Sequence, residues 1–402
     1  MAKTNDIKRY LISGFLLLFG LGVGNLEKIF ILCFLLLVLW KHIKSHNYTI
    51  NRNSQLIPLF LWGLFFSTMF VLDSGDVIGN IVYYLVAPSI MFILGYDLLC
   101  LDKAESDFSL YVYLLSLGFF LHAVISVILS ARSGVFQINA EHVKDIWSGR
   151  MISRTIMGMY KVPVVCFSIP VIFQVEGKRQ ILQKVVAAVV VVAAIATSIH
   201  VGNRALLLIS AILTLISLVL AFKYTKKKIR LLAFVILFSI LVVFLLVSNT
   251  LNLSNFIENS FLAKRSMNII SDGRFDAYKV VFQHFDNYLF GWMSSGDHIE
   301  GTSLKWAHNV WLDIFVFSGI VPLFLFLMYS FRVIRDTIAV LRNDFLKTNT
   351  KVTVAALVIG IFLNWGIEPV LQSNPYFLSA CCMIFGMYAR LKMYKGNGNN
   401  VI

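Results

Sequence analysis

Two long apolar runs, separated by four residues, lie in the middle of the chain. Residues 183–222 read QKVVAAVVVVAAIATSIHVGNRALLLISAILTLISLVLAF. Each run is close to the roughly 20 apolar residues that an α-helix needs to cross about 30 Å of hydrocarbon. The stretch therefore predicts two membrane-spanning helices, 183–200 and 205–222, with Arg204 at the start of the second.

The same pattern recurs along most of the chain, which has 402 residues and is 58% hydrophobic and 14% charged. Soluble proteins are about 45–50% apolar and about 25% charged, so a soluble fold has too few charges here to cover its apolar surface. Because a lipid-exposed backbone has no water to bond to, each span is expected to be helical. The sequence predicts an all-α polytopic integral membrane protein, one membrane domain over residues 1–402 with about 12 transmembrane helices. The predicted spans are 9–24, 27–40, 55–72, 77–98, 108–130, 155–174, 183–200, 205–222, 231–248, 310–331, 352–371 and 376–391.

The positive charge predicts how these spans are oriented. The net charge of +14 would suggest a nucleic-acid partner in a soluble protein. With the N-terminus in the cytoplasm, however, 23 of the 35 Lys and Arg residues fall in the cytoplasmic segments, as the positive-inside rule requires. We therefore expect both termini in the cytoplasm, one large outside loop at 248–309 between spans 9 and 10, and no nucleic-acid partner.

The large outside loop is expected to be folded. Its aromatic residues favour order over disorder, and a loop of this length on a compact scaffold is usually functional or disordered. From Arg274 to Phe285, apolar residues recur at spacings of three and four, which predicts an amphipathic helix beginning near Arg274. The five cysteines have no CxxC spacing, and the sequence has no DxD pair, HExxH motif or Walker loop, so no metal or nucleotide cofactor is expected.

Three basic residues on the predicted outer side are the first candidates for a functional site. Arg204 lies between two apolar runs, where its charge must face water, a ligand or a cavity, or extend to the membrane surface. Arg274 follows Gly273 at the predicted start of the loop helix and is alternatively a solvated residue beside a helix cap. His308 precedes span 10, where an imidazole is suited to proton transfer or is an inert interfacial residue.

These residues lie in three short motifs that resemble a known family. The motifs are Gly202-Asn203-Arg204-Ala205-Leu206; Gly273-Arg274 leading to Leu289-Phe290-Gly291; and His308-Asn309 with Gly319 eleven residues after the histidine. In their order and predicted sidedness, they resemble the O-antigen ligase and O-antigen polymerase family of bacterial polysaccharide assembly. Pro322 and the interval of 34 residues from Arg274 to His308 favour a polymerase-type member.

The resemblance implies a metal-independent, inverting membrane glycosyltransferase without a cofactor. It would move a glycan from undecaprenyl diphosphate to an acceptor sugar hydroxyl, as an O-antigen or capsular repeat-unit polymerase in the bacterial inner membrane. Its site would face the periplasm or the cell exterior. By resemblance, Arg204 and Arg274 neutralise the leaving diphosphate, and His308 orients or deprotonates the acceptor hydroxyl. Chain-length regulator and flippase proteins are implied partners.

Other outer-side residues are secondary candidates for substrate binding: Arg150, Arg154, Lys161, Asp276, Asn309 and Trp306. Arg150 and Arg154 are alternatively residues that extend from helix ends to the membrane surface, and Trp306 is alternatively an interfacial anchor. Asp276 and Asp313 are expected to pair with the arginines or the histidine, and Glu368 to line the cavity.

Two alternatives remain open. A ligase that transfers the polymer to a lipid A core differs from a polymerase only in its acceptor. A transporter or flippase of lipid-linked glycan is expected to place its ionisable groups near the bilayer midplane, whereas here they collect at the predicted outer surface.

Overall fold

The computed structural model of the chain is almost entirely helical. It describes residues 2–45, 55–74, 77–135, 142–173, 180–224, 260, 262, 274–291, 299, 302, 304, 306–373 and 375–395. The α-helices are α1 Ala2–Leu21, α2 Glu27–Ser45, α3 Leu56–Ser74, α4 Val77–Asn80, α5 Ala87–Leu98, α6 Ala104–Arg132, α7 Arg154–Met159, α8 Val162–Phe173, α9 Gln180–Val201, α10 Arg204–Tyr224, α11 Arg274–Gln283, α12 Val310–Ser318, α13 Ile320–Arg342, α14 Thr348–Ile367, α15 Val370–Ser373 and α16 Pro375–Leu391.

Short elements complete the described chain. A π-helix, Ile81–Val86, joins α4 to α5, and 3-10 turns lie at Val23–Asn25, Leu101–Lys103 and Phe285–Tyr288. The only sheet within the described ranges is an antiparallel hairpin of β1 His142–Lys144 and β2 Met151–Ser153, in which Val143 pairs with Ile152.

Six described helical stretches are long and apolar enough to cross a membrane. They are Ile78–Leu98, Leu101–Arg132, Arg154–Phe173, Ile181–Val201, Arg204–Lys223 and Thr348–Ile367. Shorter apolar helices occupy Arg9–Leu21, Leu56–Thr68 and Tyr376–Leu391. The chain therefore has the structure of an all-α membrane protein, as the sequence predicts. The predicted span 231–248 lies outside the described residues.

One predicted span is two helices in the structure. The apolar run 310–331 is broken at Gly319, whose φ of 85° and ψ of −170° end α12 and begin α13. The Gly319 amide still donates to the Phe315 carbonyl, but the next amide, that of Ile320, donates to the carbonyl of Leu289 in the preceding loop. The prediction of one continuous span was wrong here because a contact distant in sequence interrupts the helix.

The sequence predicts one membrane domain. Within it, the structure forms two compact units. The first unit comprises Met1–Phe119, Asp272–Lys347 and Ile361–Ile402. In its core, α5 and α16 approach so closely that a Cβ on Gly386 would collide with the backbone of Phe92. Glycines therefore allow direct backbone contact between helices, as is common where membrane helices pack.

The second unit comprises Phe120–Ser271 and Thr348–Gly360. It contains the end of α6, the hairpin, α7 to α10 and the beginning of α14. Gly360 of α14 lies directly against the side chain of Cys166 in α8. Arg204 belongs to this unit, whereas Arg274 and His308 belong to the first.

Candidate functional site

In the first unit, two of the sequence motifs meet at a pair of glycines. Gly319 follows the His308 motif, and Gly291 ends the loop motif that begins at Arg274. A Cβ on Gly319 would lie 2.6 Å from the Leu289 carbonyl oxygen, and a Cβ on Gly291 would lie 2.7 Å from the Ser318 Cα atom. Both glycines have positive φ values, 85° and 75°, so each position requires glycine for its conformation and for space. The break between α12 and α13 thus anchors the loop.

His308 lies immediately before α12 in a left-handed backbone conformation, with a φ of 56°. This region is uncommon for residues other than glycine, and such outliers cluster at functional sites. The His308 side chain is 19% exposed, and its Nδ1 atom lies 4.0 Å from Oε2 of the buried Glu368. An acid therefore lies beside the ring, beyond hydrogen-bond distance, while part of the imidazole is accessible.

Asn309 fixes the start of α12. Its side-chain oxygen accepts hydrogen bonds from the amides of Trp311 and Leu312, at 3.1 and 3.2 Å. Its Nδ2 atom donates to the carbonyl oxygen of Gly366 at 3.2 Å. These bonds use both ends of the amide to hold the backbone beside His308, so the structure gives Asn309 a structural task. Its binding of substrate stays a prediction.

Asp313 stabilises the same turn from inside. It is fully buried, and its Oδ1 atom accepts a hydrogen bond from the Ala307 amide at 2.7 Å. The residue before His308 is therefore bonded to α12, and the residue after it caps the helix. The acid nearest to the histidine is Glu368, which was expected only to line the cavity. Asp313, which was expected to pair with the arginines or the histidine, accepts a bond from backbone instead.

The described part of the loop helix α11 runs from Arg274 to Gln283, two residues short of the predicted end at Phe285. One turn after Arg274, the Tyr278 hydroxyl donates to the carbonyl oxygen of Gly366 at 3.4 Å. This is the carbonyl that also accepts from Asn309. Tyr278 of the loop helix and Asn309, next to His308, thus donate to the same oxygen atom near the end of α14.

Two secondary candidates of the first unit have different surroundings. Asp276 is exposed in the first turn of α11, where a carboxylate is favourable to the helix dipole. Trp306 is 7% exposed and packs on Phe317, with ring centroids 4.3 Å apart. Trp306 therefore has an internal packing partner, and its stacking on a sugar stays a prediction.

In the second unit, Arg204 is the first residue of α10, as predicted. Gly202, with a φ of 71°, ends the preceding helix, and the Asn203 side-chain oxygen accepts from the Leu206 amide at 2.9 Å. The buried Asn203 side chain packs directly against Gly158 of α7. The short polar run before Arg204 is therefore a helix cap that is packed into place.

Three further candidates lie in this unit. Arg150 is exposed at the base of the hairpin turn, whereas Arg154 is 6% exposed at the start of α7. Lys161 is fully buried between α7 and α8, and its Nζ atom donates to the hydroxyls of Ser198 and Thr197 at 2.6 and 3.1 Å. Lys161 thus bonds to α9, and its role in substrate binding stays a prediction.

Sequence reasoning missed the function of Gly366 as a shared acceptor and the contact of Glu368 with His308. Glu368 is an acid at the end of an apolar span, which marks it as unusual, but its partner lies 60 residues earlier. Within the described residues, no three His, Cys, Asp or Glu side chains are grouped so that they could hold a metal ion.

Comparison with known proteins identifies no relative for this chain. It matches no protein-family model, and no curated protein is significantly similar to it. The helices alone assign the chain to a class, that of polytopic α-helical membrane proteins.

Proposed function

We propose that the protein is a membrane glycosyltransferase that transfers a glycan from undecaprenyl diphosphate to an acceptor sugar hydroxyl, as a repeat-unit polymerase. The observation that carries the proposal is the convergence on Gly366 and Glu368. Tyr278 and Asn309 bond to the Gly366 carbonyl, and His308 lies 4.0 Å from Glu368. A cationic helix start and an acid-supported imidazole in one unit suit the attack of a hydroxyl on a phosphate-activated sugar.

The proposed step is a single displacement. The acceptor hydroxyl oxygen bonds to the anomeric carbon of the donor sugar while the bond from that carbon to the diphosphate oxygen breaks. The hydroxyl proton passes to His308, and undecaprenyl diphosphate leaves with its negative charge. Arg274 neutralises this charge from the start of α11, because guanidinium donors match phosphate oxygens in pairs. Arg204 keeps its predicted contact with phosphate through the resemblance of its motif.

The proposal includes the topology that the charges predict. The chain would cross the bacterial inner membrane about 12 times, with both termini in the cytoplasm and the site facing the periplasm or the cell exterior. Lys144 and Lys347 are both exposed and are expected on opposite sides. In a background of Cys33→Ser and Cys100→Ser, an impermeant maleimide added to whole cells should label Lys144→Cys and spare Lys347→Cys. The opposite labelling pattern would show that the topology is the reverse of the predicted one.

Genetic complementation tests the activity. In a strain that lacks the gene, a polymerase defect leaves single repeat units on the surface glycolipid, and a ligase defect leaves lipid-linked polymer with a bare core. A flippase defect leaves single lipid-linked repeat units on the cytoplasmic side. We expect the first pattern, and we expect His308→Ala, Arg274→Ala and Arg204→Ala each to reproduce it.

Matched controls come from the same loop. Lys279 lies on α11 and His284 directly after it, and both are exposed. Lys279→Ala and His284→Ala should therefore give wild-type polysaccharide. If His308→Ala and Arg274→Ala also gave wild-type ladders with normal membrane insertion, the proposed site would be wrong.

A further inference from the structure

A polar stripe on the end of α6 holds the β-hairpin. His122, Ser126 and Ser130 follow each other at intervals of four residues, which places them on one face of the helix. The Ser130 hydroxyl accepts from the Lys144 amide at 2.8 Å, and the Ser126 hydroxyl accepts from the Ile146 amide at 3.2 Å. Each of these side chains thus bonds to the first strand or to the turn that follows it.

His122 completes the stripe through a buried acid. Its Nε2 atom lies 2.6 Å from Oδ2 of Asp145, and both side chains are nearly inaccessible, 6% and 3% exposed. The other carboxylate oxygen, Oδ1, accepts from the amides of Trp147 and Ser148 and from the Ser148 hydroxyl, at 3.0, 2.6 and 2.8 Å. Asp145 therefore ties the whole turn to α6, since a buried carboxylate with several donors is strongly held.

The hairpin leads directly into α7. Ser153, the last residue of the second strand, is the cap of α7, and its hydroxyl accepts from the Thr155 amide at 3.3 Å. Arg154 is the first residue of that helix and is buried. The position of Arg154 is thus fixed by the hairpin on one side and by the helix on the other.

α7 in turn contacts the cap of the Arg204 helix. Gly158 lies directly against the Asn203 side chain, so that any side chain at position 158 would displace it. Asn203 caps α10 through the Leu206 amide. An unbroken series of contacts therefore runs from the His122–Asp145 pair through the hairpin and α7 to the start of α10, all within the second unit.

We propose that His122 and Asp145 are positioning residues, which hold the hairpin so that Arg150, Arg154 and Arg204 bind the diphosphate and glycan of the lipid-linked substrate. The inference rests on the proposed function, because it concerns how that substrate is held. It assigns a role to His122 of α6, which lies 28 or more residues before all three arginines. A displacement of about 1 Å that a distant substitution causes at the reacting groups can cost about 100-fold in rate.

A removable cross-link tests positioning directly. The 2.8 Å bond from the Lys144 amide to the Ser130 hydroxyl places the two Cα atoms less than about 6.8 Å apart, within the reach of a disulfide. In the Cys33→Ser, Cys100→Ser background, Ser130→Cys with Lys144→Cys should fasten the hairpin without His122. The protein is purified in nanodiscs. Two quantities are measured: the rate of glycan transfer from an undecaprenyl-diphosphate-linked repeat unit, and the affinity for undecaprenyl diphosphate.

We expect His122→Ala to reduce transfer about 100-fold and to weaken binding of the lipid diphosphate. In the variant with the two added cysteines, His122→Ala should regain most of its transfer and most of its binding when the disulfide is oxidised. Reduction of the disulfide should abolish both again. His122→Gln keeps a donor near the Nε2 position and should retain transfer to within about threefold. Ser133→Ala, directly after that helix, removes only a bond to the Ser130 carbonyl and should behave as wild type.

Two results would overturn the inference. One is wild-type transfer by His122→Ala; the other is a monodisperse, cross-linked His122→Ala protein that stays inactive when oxidised. Failure of the proposed function is distinguishable from both, because the unmodified protein would then not transfer glycan to the acceptor sugar.

Discussion

The Nδ1 atom of His308 lies 4.0 Å from the Oε2 atom of Glu368, although 60 residues separate them in the sequence. The two residues come from the start of α12 and the end of α14, and the Asn309 bond to Gly366 fastens these ends together. The backbone at His308 is therefore held beside the end of α14, which places the imidazole near the carboxylate.

Loss of the histidine should abolish most of the activity. We expect His308→Ala to reduce transfer by about 10²–10⁴-fold, the usual contribution of a general base. Glu368→Gln should cost less, and the double variant should be no slower than His308→Ala, since residues that act as a unit are not additive. The measurement is transfer in purified membranes. Additive losses would mean that Glu368 acts independently of His308.

Asn309 should matter first for stability. Asn309→Ala removes the cap of α12 and should lower the free energy of unfolding by about 0.5–2 kcal/mol. Asn309→Asp keeps the acceptor that caps α12 but loses the Nδ2 donor to Gly366. It therefore separates the contribution of the helix cap from that of the bond to α14. Thermal unfolding in detergent measures both, with the exposed Asn287→Ala as control. If Asn309→Ala unfolds at the wild-type temperature, the cap is not stabilising.

The glycine pair should not tolerate a side chain. In Gly319→Ala, the backbone conformation alone should cost about 1–3 kcal/mol, and the new Cβ collides with the Leu289 carbonyl. Gly291→Ala should be similarly damaging. A Cβ on Gly14 in α1 would have no other atom within 4 Å. Gly14→Ala should therefore leave the free energy of unfolding unchanged or raise it by about 0.5–1 kcal/mol. Equal thermal shifts for Gly14→Ala and Gly319→Ala would contradict the anchored break.

The hairpin should loosen in acid. Burial by itself raises the pKa of Asp145, but hydrogen bonds from His122 and Ser148 outweigh it and hold this pKa below its usual range. A lowered pKa stabilises the fold fully above the unfolded value of about 3.9, and this contribution is lost as the pH falls below it. Hydrogen exchange of residues 142–153 should therefore be constant from pH 7 to about 5 and rise, corrected for intrinsic rate, below about pH 4. In Asp145→Asn, protection should be lower at pH 7 and should lose this acid dependence.

The sequence predicts the helices better than their interruptions. The start of α10 at Arg204 follows from a local signal, namely a short polar run before a long apolar run. The break at Gly319 does not, because glycine is common in apolar spans and its conformation depends on the Leu289 carbonyl.

The same distinction holds for the candidate site. The reactive residue types, Arg204, Arg274 and His308, are visible as charges or imidazoles beside apolar runs. The partner Glu368 is set by tertiary packing, which no local pattern encodes. The stripe of His122, Ser126 and Ser130 is an intermediate case: its four-residue spacing is visible in the sequence, but its partner strand is only three residues long.

The bond from the Ile320 amide to the Leu289 carbonyl also closes the intervening chain into a ring, fastened at the helix break. The entropy of closing a flexible loop grows only with the logarithm of its length, about 0.6 kcal/mol for each doubling. His308 is held from the α12 side of this ring by Asn309 and Asp313. Because these contacts come from α12, an insertion of a few residues between Gly291 and Ile299 should leave the imidazole in place.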